Sequence, residues 1–314
     1  MVRAPTSTHP PETEPEPGQS VRPNLANQLI GFPPKLYVIG AQKAGTTALC
    51  EHLDRLPAVE LATPKEPAYF TRNFQRGIDW YRACFRTSDR ILLDGTPGYT
   101  AAHPRDASSP HNAAAARLHA LSPDARLIYI VRDPIRRAWS AYWHAVRVGT
   151  EERSPSAALT GDSAYVRGSL YAFQIERYLQ LFPRGQVLCV DNGYFRTEPD
   201  AVVEGIARWL GVAPTPEAPV NQRDYNTSFR YTRTGALIRD VLPRPVLHAA
   251  TSTLKALLPA AALGHLKARL TTEIPDLDAD IRDRLHADIA ADYERFRAQH
   301  AALFLDGRIP ADLS

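Results

Sequence analysis

The stretch LYVIGAQKAGTT, residues 36–47, decides the fold. Its first four residues form a short apolar run that ends at Gly40, which predicts a buried β-strand. Small residues follow as far as Thr47, and residues 48–56 are predicted to form a helix that stops before Pro57. A loop of small residues between a strand and a helix is typical of a phosphate cradle, because free N–H groups at the start of the helix point toward the anion.

The side chains of this loop fit an anion. Lys43 supplies a positive charge, Thr46 and Thr47 supply hydroxyl donors, and the small residues Ala44 and Gly45 let the backbone approach closely. The loop is not a Walker A motif, which ends in Gly-Lys-Ser/Thr, because here the lysine precedes the glycine by two residues. No magnesium ligand is apparent, so no metal is expected. The alternative is a strand–helix turn that binds nothing.

A second candidate anchor follows the clearest strand of the chain, residues 127–131. Arg132 stands at the carboxyl end of that strand, the edge where open α/β sheets place ligands. Ser140 lies about two turns into the next predicted helix. An arginine and a hydroxyl suit a separate phosphate, such as one on a ribose 3′-oxygen. The alternatives are an ion pair between Arg132 and Asp133 and a serine on the surface.

Apolar strand patterns alternate with helical patterns along the chain. Further strands are predicted at residues 59–63, 91–93 and 186–190, and helices at 113–121, 134–148, 169–182, 199–210 and through 281–296. This alternation predicts βαβ units and a mainly parallel sheet covered on both faces. Residues 150–165 and 213–262 are less regular, which favours loops or lids.

The chain length of 314 residues allows one large α/β domain, predicted at residues 35–308. Residues 1–34 are rich in proline and lack an apolar cluster, so we expect a disordered tail. Neither a signal peptide nor a transit peptide is apparent there. The most apolar later stretch, residues 241–264, is interrupted by prolines and charges, so no membrane span is predicted and a cytoplasmic location is expected.

The charge and cysteine content exclude several other classes. The 37 lysines and arginines exceed the 34 aspartates and glutamates by only +3, which is too weak a bias to predict a nucleic-acid or membrane partner. The three cysteines are scattered and show no metal-binding spacing. Any anion site must therefore be local.

Two separated motifs resemble those of one family. Residues 43–47 and the segment from Arg132 to Ser140 resemble the 5′-phosphosulfate and 3′-phosphate motifs of sulfotransferases that use 3′-phosphoadenosine 5′-phosphosulfate (PAPS). The segment KEPAYF, residues 65–70, is similar to one in the heparan-sulfate-type branch, as is the helix–strand pair at residues 168–190. The resemblance implies a sulfotransferase fold with a P-loop-type central parallel sheet, PAPS as co-substrate and adenosine 3′,5′-bisphosphate as product.

The resemblance also implies roles for the catalytic residues. Glu66 corresponds to the glutamate that acts as general base in the heparan-type enzymes, and Lys65 is placed to hold it ionised. Lys43 would stabilise the departing phosphate oxygen. The rival base is a histidine, for which His103 is the candidate, and Glu66 would then be a solvated surface carboxylate. Asp94 is a candidate for contact with the acceptor or Lys65, or for capping a turn.

The remaining expectations concern the rim of the site and the acceptor. Arg230 and Arg233 lie where the family often has a basic loop over the 3′-phosphate, although the Lys-Gly-Arg form of that loop is absent. A hydroxylated acceptor is expected, either a small metabolite, a glycoside or other glycan, or a lipid-linked precursor. Composition typical of GC-rich bacteria would suit natural-product tailoring. The aromatic candidates for an acceptor pocket are Tyr69, Phe70, Trp80, Tyr81 and Tyr99.

Two other functions stay open from the sequence. One is a P-loop kinase, against which the position of the lysine counts and for which a magnesium requirement would speak. The other is a non-catalytic nucleotide-binding scaffold that retains the fold.

Overall fold

A computed structural model of the chain describes residues 25–86, 89–214, 229–231, 271–311 and 313. Five strands form one sheet in the order β2-β3-β1-β4-β5, and every neighbouring pair is parallel. The predicted central parallel sheet is thus confirmed. The strands are β1 Leu36–Gly40, β2 Val59–Leu61, β3 Ile91–Asp94, β4 Arg126–Val131 and β5 Val187–Asp191. A separate antiparallel pair consists of β6 Phe229–Tyr231 and β7 Thr271–Glu273.

Helices cover both faces of the parallel sheet. The helices of the described residues are, in chain order, α1 Leu25–Leu29, α2 Thr46–Leu53, α3 Gly77–Arg82, α4 Ala114–Leu121, α5 Pro134–Val148, α6 Pro155–Ala158, α7 Ala164–Arg167, α8 Tyr171–Leu179, α9 Asn192–Thr197, α10 Pro199–Leu210 and α11 Ala279–His300. Apolar residues of α2, α9 and α10 pack on one face, and those of α4, α5, α8 and α11 pack on the other. Both faces of the sheet are buried, which explains the continuous apolar strands.

The order of the strands places a crevice beside the phosphate loop. β1 lies between β3 and β4, so the chain leaves β1 toward one edge of the sheet and leaves β4 toward the other. The loops after these two neighbouring strands therefore diverge at their carboxyl ends. Such a switch point is where open α/β sheets bind ligands.

Helix α5 begins at the switch point because its first turn is capped. The Asp133 side chain accepts a hydrogen bond from the backbone N–H of Arg136 at 2.7 Å, and Pro134 occupies the first helical position. Gly149 ends the helix with a φ of 74°. This cap fixes the direction in which the helix carries Ser140 past the end of β4.

The folded part starts earlier in the chain than predicted. Leu29 at the end of α1 is buried, Ile30 forms an antiparallel bridge with Ile91, and the Gly31 N–H donates to the Arg90 carbonyl at 3.0 Å. The boundary predicted at residues 34/35 therefore lies inside the packed part of the chain, because a short apolar segment within the proline-rich stretch packs on β3. Residues 1–24 lie outside the described residues.

Other segment predictions differ in detail. Helix α2 spans Thr46–Leu53 instead of residues 48–56, and α8 is shorter than residues 169–182. The region 150–165 contains α6 and the start of α7. Most of the region 213–262 lies outside the described residues. Among the helices that the structure describes, none is both long and apolar enough to cross a bilayer.

Candidate active site

The backbone of the loop after β1 is tightly constrained. Lys43 and Gly45 have left-handed φ values of 69° and 99°. Non-glycine residues seldom adopt such values, and a Cβ added to Gly45 would lie 2.5 Å from the Asn192 Nδ2 atom. The close approach of α9 therefore requires glycine at position 45. This conformation of the loop leaves the N-terminal amides of α2 at the edge of the crevice.

Two arginines from the β4–α5 segment hold the carbonyl groups of this loop. The Arg132 Nη1 atom donates to the Lys43 carbonyl at 3.3 Å, and the Arg137 Nη1 atom donates to the Gln42 carbonyl at 3.4 Å. Arg137 is fixed in turn by the Ser169 hydroxyl at 2.8 Å. Both phosphate motifs predicted from the sequence are thus joined by direct contacts.

A cleft of about 1620 Å³ opens at this edge of the sheet. Ala44 is fully buried beneath the loop. The backbone of Arg230 lies in β6 opposite Thr272, and Arg233 lies outside the described residues. The predicted site residues that line the cleft together are Lys43, Gly45, Thr46, Thr47, Glu66, Arg132 and Ser140.

Glu66 reaches the cleft from the loop between β2 and α3. Its carboxylate lies 2.9 Å from the Lys65 Nζ atom, and its side chain is 42% exposed, so an incoming hydroxyl can reach it. The Lys65 Nζ atom also donates to the Gly95 carbonyl at 3.4 Å. The predicted Lys65–Glu66 pair is present, and it is anchored to the segment after β3.

The surroundings of Lys43 disfavour its positively charged form. Burial is the largest cause that lowers its pKa to about 8, followed by the positive charges of Arg147 and Arg132, while Glu66 acts in the opposite direction. A cation held under such conditions gains most from an anion that enters the cleft. This local field fits a phosphate or sulfate ligand.

His144 and Arg147, two residues on α5, were not identified from the sequence. The Arg147 Nη2 atom lies 2.7 Å from His144 Nδ1, and because a guanidinium only donates, Nδ1 must accept and the ring proton sits on Nε2. Burial, Lys43 and Arg147 together lower the pKa of His144 to about 4. His144 is therefore a neutral hydrogen-bond donor. Its four-residue step from Ser140 along the helix was the available signal.

Other predicted candidates do not line this cleft in the part of the chain that the structure describes. The His103 ring accepts from the Arg105 backbone N–H at 3.2 Å, away from Glu66. Asp94 is fully buried and contacts neither Lys65 nor open space. Among the aromatic candidates, Tyr69, Phe70, Tyr81 and Tyr99 belong to the hydrophobic core, and Trp80 packs against its edge.

Another part of the cleft wall is aromatic. His52 and Phe195 meet edge to face, with ring centroids 5.3 Å apart, and Ala48 and Arg196 lie on the same stretch of wall. A flat ring edge, a small residue and a cation form a surface that can accept a planar heteroaromatic group. The cleft therefore contains both an anion-binding centre and an aromatic part.

Comparison with known families assigns the chain to a class. A family model described as "Sulfotransferase domain" matches residues 33–243, which is more than half of the chain. The chain therefore belongs to the sulfotransferase domain family, and the resemblance predicted from the two motifs is confirmed.

Individual relatives agree with this assignment. Bifunctional heparan sulfate N-deacetylase/N-sulfotransferase 3 of Mus musculus is 33% identical over 201 residues, 58% of this chain and 22% of that protein. Heparan sulfate glucosamine 3-O-sulfotransferase 6 of Mus musculus is 31% identical over 234 residues, 67% of this chain and 64% of that protein. The chain thus spans less than two thirds of either relative's length.

A solved structure shares the fold. The crystal structure of a sulfotransferase from Alicyclobacillus acidocaldarius superposes with a TM-score of 0.57 at 22% identity, and the match covers 85% of this chain and 95% of that one. At this identity the likeness establishes the architecture alone.

Proposed function

We propose that this chain transfers a sulfuryl group from PAPS to an acceptor hydroxyl. The observation that carries the proposal is the shared cleft, in which the phosphate loop, Arg132, Ser140 and Glu66 meet at the switch point of the sheet. The family supports the reaction class. In this assignment the loop from Lys43 to Thr47 binds the 5′-phosphosulfate, and Arg132 with Ser140 binds the 3′-phosphate.

The transfer is an in-line displacement in which the acceptor oxygen forms a bond to sulfur as the bond from sulfur to the bridging phosphate oxygen breaks. The Glu66 carboxylate takes the acceptor proton. Lys43 stabilises the negative charge that develops on the bridging oxygen. His144 offers its Nε2–H group to oxygen atoms in the same centre. Arg230 and Arg233 are assigned to the rim near the 3′-phosphate.

We assign the adenine ring to the part of the cleft wall near His52 and Phe195, because these aromatic residues line the same cleft as the phosphate loop. For the acceptor we favour a sugar hydroxyl on a glycoside. The names of the relatives refer to heparan sulfate, but the acidic residues Glu51, Glu273 and Asp276 line this cleft together with its cations. A mixed lining is less suited to a polyanionic chain than a uniformly basic groove.

The proposed donor site is tested by thermal shift with adenosine 3′,5′-bisphosphate and with ATP, each with and without magnesium. We expect the bisphosphate to raise the unfolding midpoint without metal. At a hundredfold excess over Kd, binding should add about 2.7 kcal/mol to the free energy of unfolding. A magnesium-dependent shift with ATP alone would instead identify a kinase. The absence of any shift would contradict nucleotide binding altogether.

Replacing Arg132 by alanine should weaken binding of the bisphosphate by about 10- to 150-fold, the equivalent of about 1.5–3 kcal/mol for a charge-assisted hydrogen bond. Calorimetric titration measures this, with adenosine 5′-phosphate as the matched ligand that lacks the 3′-phosphate. The preference for the bisphosphate over the monophosphate should largely vanish in R132A. An equal loss for both ligands would place Arg132 elsewhere on the nucleotide.

A further inference from the structure

A buried carboxylate that the proposed reaction does not use is linked through neighbouring side chains to the loop that carries the proposed base. Asp94, the last residue of β3, is fully buried. Its Oδ2 atom accepts hydrogen bonds from the Tyr81 hydroxyl at 2.8 Å and the Tyr99 hydroxyl at 2.7 Å, and its Oδ1 atom accepts one from the Thr96 hydroxyl at 2.6 Å. Three donors converge on this carboxylate, and no cation pairs with it among the described residues. Such an arrangement favours an ionised acceptor whose removal leaves several buried hydroxyls unsatisfied.

This network extends to the loop that carries Glu66. The Thr96 hydroxyl oxygen accepts a hydrogen bond from the backbone N–H of Ala68 at 3.1 Å. The Tyr81 ring stacks on Tyr69 with centroids 4.3 Å apart and an interplanar angle of 7°. Both contacts therefore begin at groups that Asp94 orients, and both end within three residues of Glu66.

The loop needs external support at this position. Ala68 has a φ of 51°, a left-handed conformation that a residue with a Cβ adopts at a cost. Its N–H bond to Thr96 and the neighbouring Tyr69 stack hold that conformation. Without them, the direction in which residues 65–67 leave the sheet edge is no longer fixed.

We infer that Asp94 is a positioning residue for Glu66, and that its ionised carboxylate holds the catalytic loop in place through Thr96 and Tyr81. The inference rests on the proposed function, since Glu66 must be the base for its position to affect the rate. Asp94 itself touches no substrate, because it is fully buried and does not line the cleft in the described structure.

The protonation state of Asp94 gives this role a measurable signature. Burial raises the pKa of Asp94 to about 6, although the hydrogen bonds from Thr96, Tyr99 and Tyr81 oppose that rise and Glu66 adds to it. A protonated carboxyl group carries an O–H donor of its own and is a weaker acceptor, so its hydrogen bonds from the three hydroxyl groups weaken. The titratable groups that face Asp94 are Tyr37 on β1, Cys50 on α2, Glu66, Tyr81 on α3, Cys84, Tyr99 and Tyr178 on α8.

The test follows the loop directly and independently of turnover. Hydrogen–deuterium exchange of the backbone amide of Ala68 is measured as a function of pH, alongside kcat with PAPS and p-nitrophenyl glycosides as acceptors. In the unaltered protein, protection of Ala68 and kcat should fall together as the pH falls through about 6. In D94N, both should be low at every pH, with kcat reduced by about tenfold or more, the rate equivalent of one charge-assisted hydrogen bond.

A matched pair of variants separates positioning from general stability. Y81F keeps the stack on Tyr69 but removes one donor to Asp94, so the pH at which kcat falls should move upward. Y293F removes a comparable hydroxyl hydrogen bond, to the Ala311 carbonyl at 2.9 Å, at a residue that neither lines the cleft nor contacts Asp94, and should leave that pH unchanged. Both variants are also informative if D94N does not fold.

The outcomes distinguish this inference from the proposed function. If PAPS supports turnover but neither D94N nor Y81F alters the pH dependence, Asp94 is only structural and the inference is overturned. A different result would be that the exchange of Ala68 responds as expected, but no glycoside is sulfated and the bisphosphate does not bind. The proposed function then fails, and Asp94 positions the loop without any effect on catalysis.

Discussion

Replacement of Glu66 by glutamine is expected to lower kcat by about 10²–10⁴-fold, the range that a positioned general base contributes. The glutamine keeps the shape of the side chain and can still contact Lys65, which lies 2.9 Å from the carboxylate in the structure. It cannot take a proton from the acceptor hydroxyl. The affinity for adenosine 3′,5′-bisphosphate should therefore stay nearly unchanged while turnover is lost.

The experiment compares steady-state turnover with calorimetric binding of the bisphosphate in the same preparations. E51Q is the matched control, because Glu51 lines the same cleft from α2 and the substitution removes the same charge. Its kcat should stay close to that of the unaltered protein. Full activity in E66Q would remove Glu66 from the mechanism, and loss of turnover in H103A would then make His103 the base.

Much of the site was predictable because its signals are local in sequence. A strand, a loop of small residues and a helix follow one another at residues 36–53, and Arg132 comes directly after the most apolar strand. Parallel strands end at the same edge of their sheet, so the two motifs had to approach each other. The Lys65–Glu66 contact was also predictable, since adjacent residues with opposite charges need little tertiary information.

What the sequence did not reveal depends on tertiary packing. The order β2-β3-β1-β4-β5 is set by which strands pair across long crossovers, and no local pattern records it. Tyr81 and Tyr99 were candidates for the acceptor pocket, yet their rings fill the core while their hydroxyls serve Asp94. His144 was missed because its character as a neutral donor comes from Arg147 and Lys43, which only the fold brings near it.

The second large effect is expected on substitution of Lys43, whose surroundings are also set by tertiary packing. Substitution of Lys43 by methionine should lower kcat by about 10²–10³-fold, because the charge that develops on the bridging oxygen loses its positively charged partner. K43R keeps a charge that does not titrate, so it should retain part of the activity. In the unaltered protein, kcat/KM for PAPS should decline as the pH rises through about 8, the pKa of Lys43 in the empty cleft, and this decline should be absent from K43R.

Substitution of Lys43 by methionine should lower activity but raise the stability of the free protein. Burial and the charges of Arg147 and Arg132 lower the pKa of Lys43 below its unfolded value, so the charged form destabilises the fold at neutral pH. This cost is fully present below about pH 8 and disappears as the pH rises toward the unfolded value of 10.5. K43M should therefore have a higher unfolding midpoint than the unaltered protein at pH 7, and the difference should vanish near pH 10.5. A lysine with a purely structural role would lose stability on substitution, so a lower midpoint for K43M at pH 7 would contradict the assignment of Lys43 to the reaction. In a site that is preorganised for an anion, residues that raise activity are expected to lower the stability of the free protein.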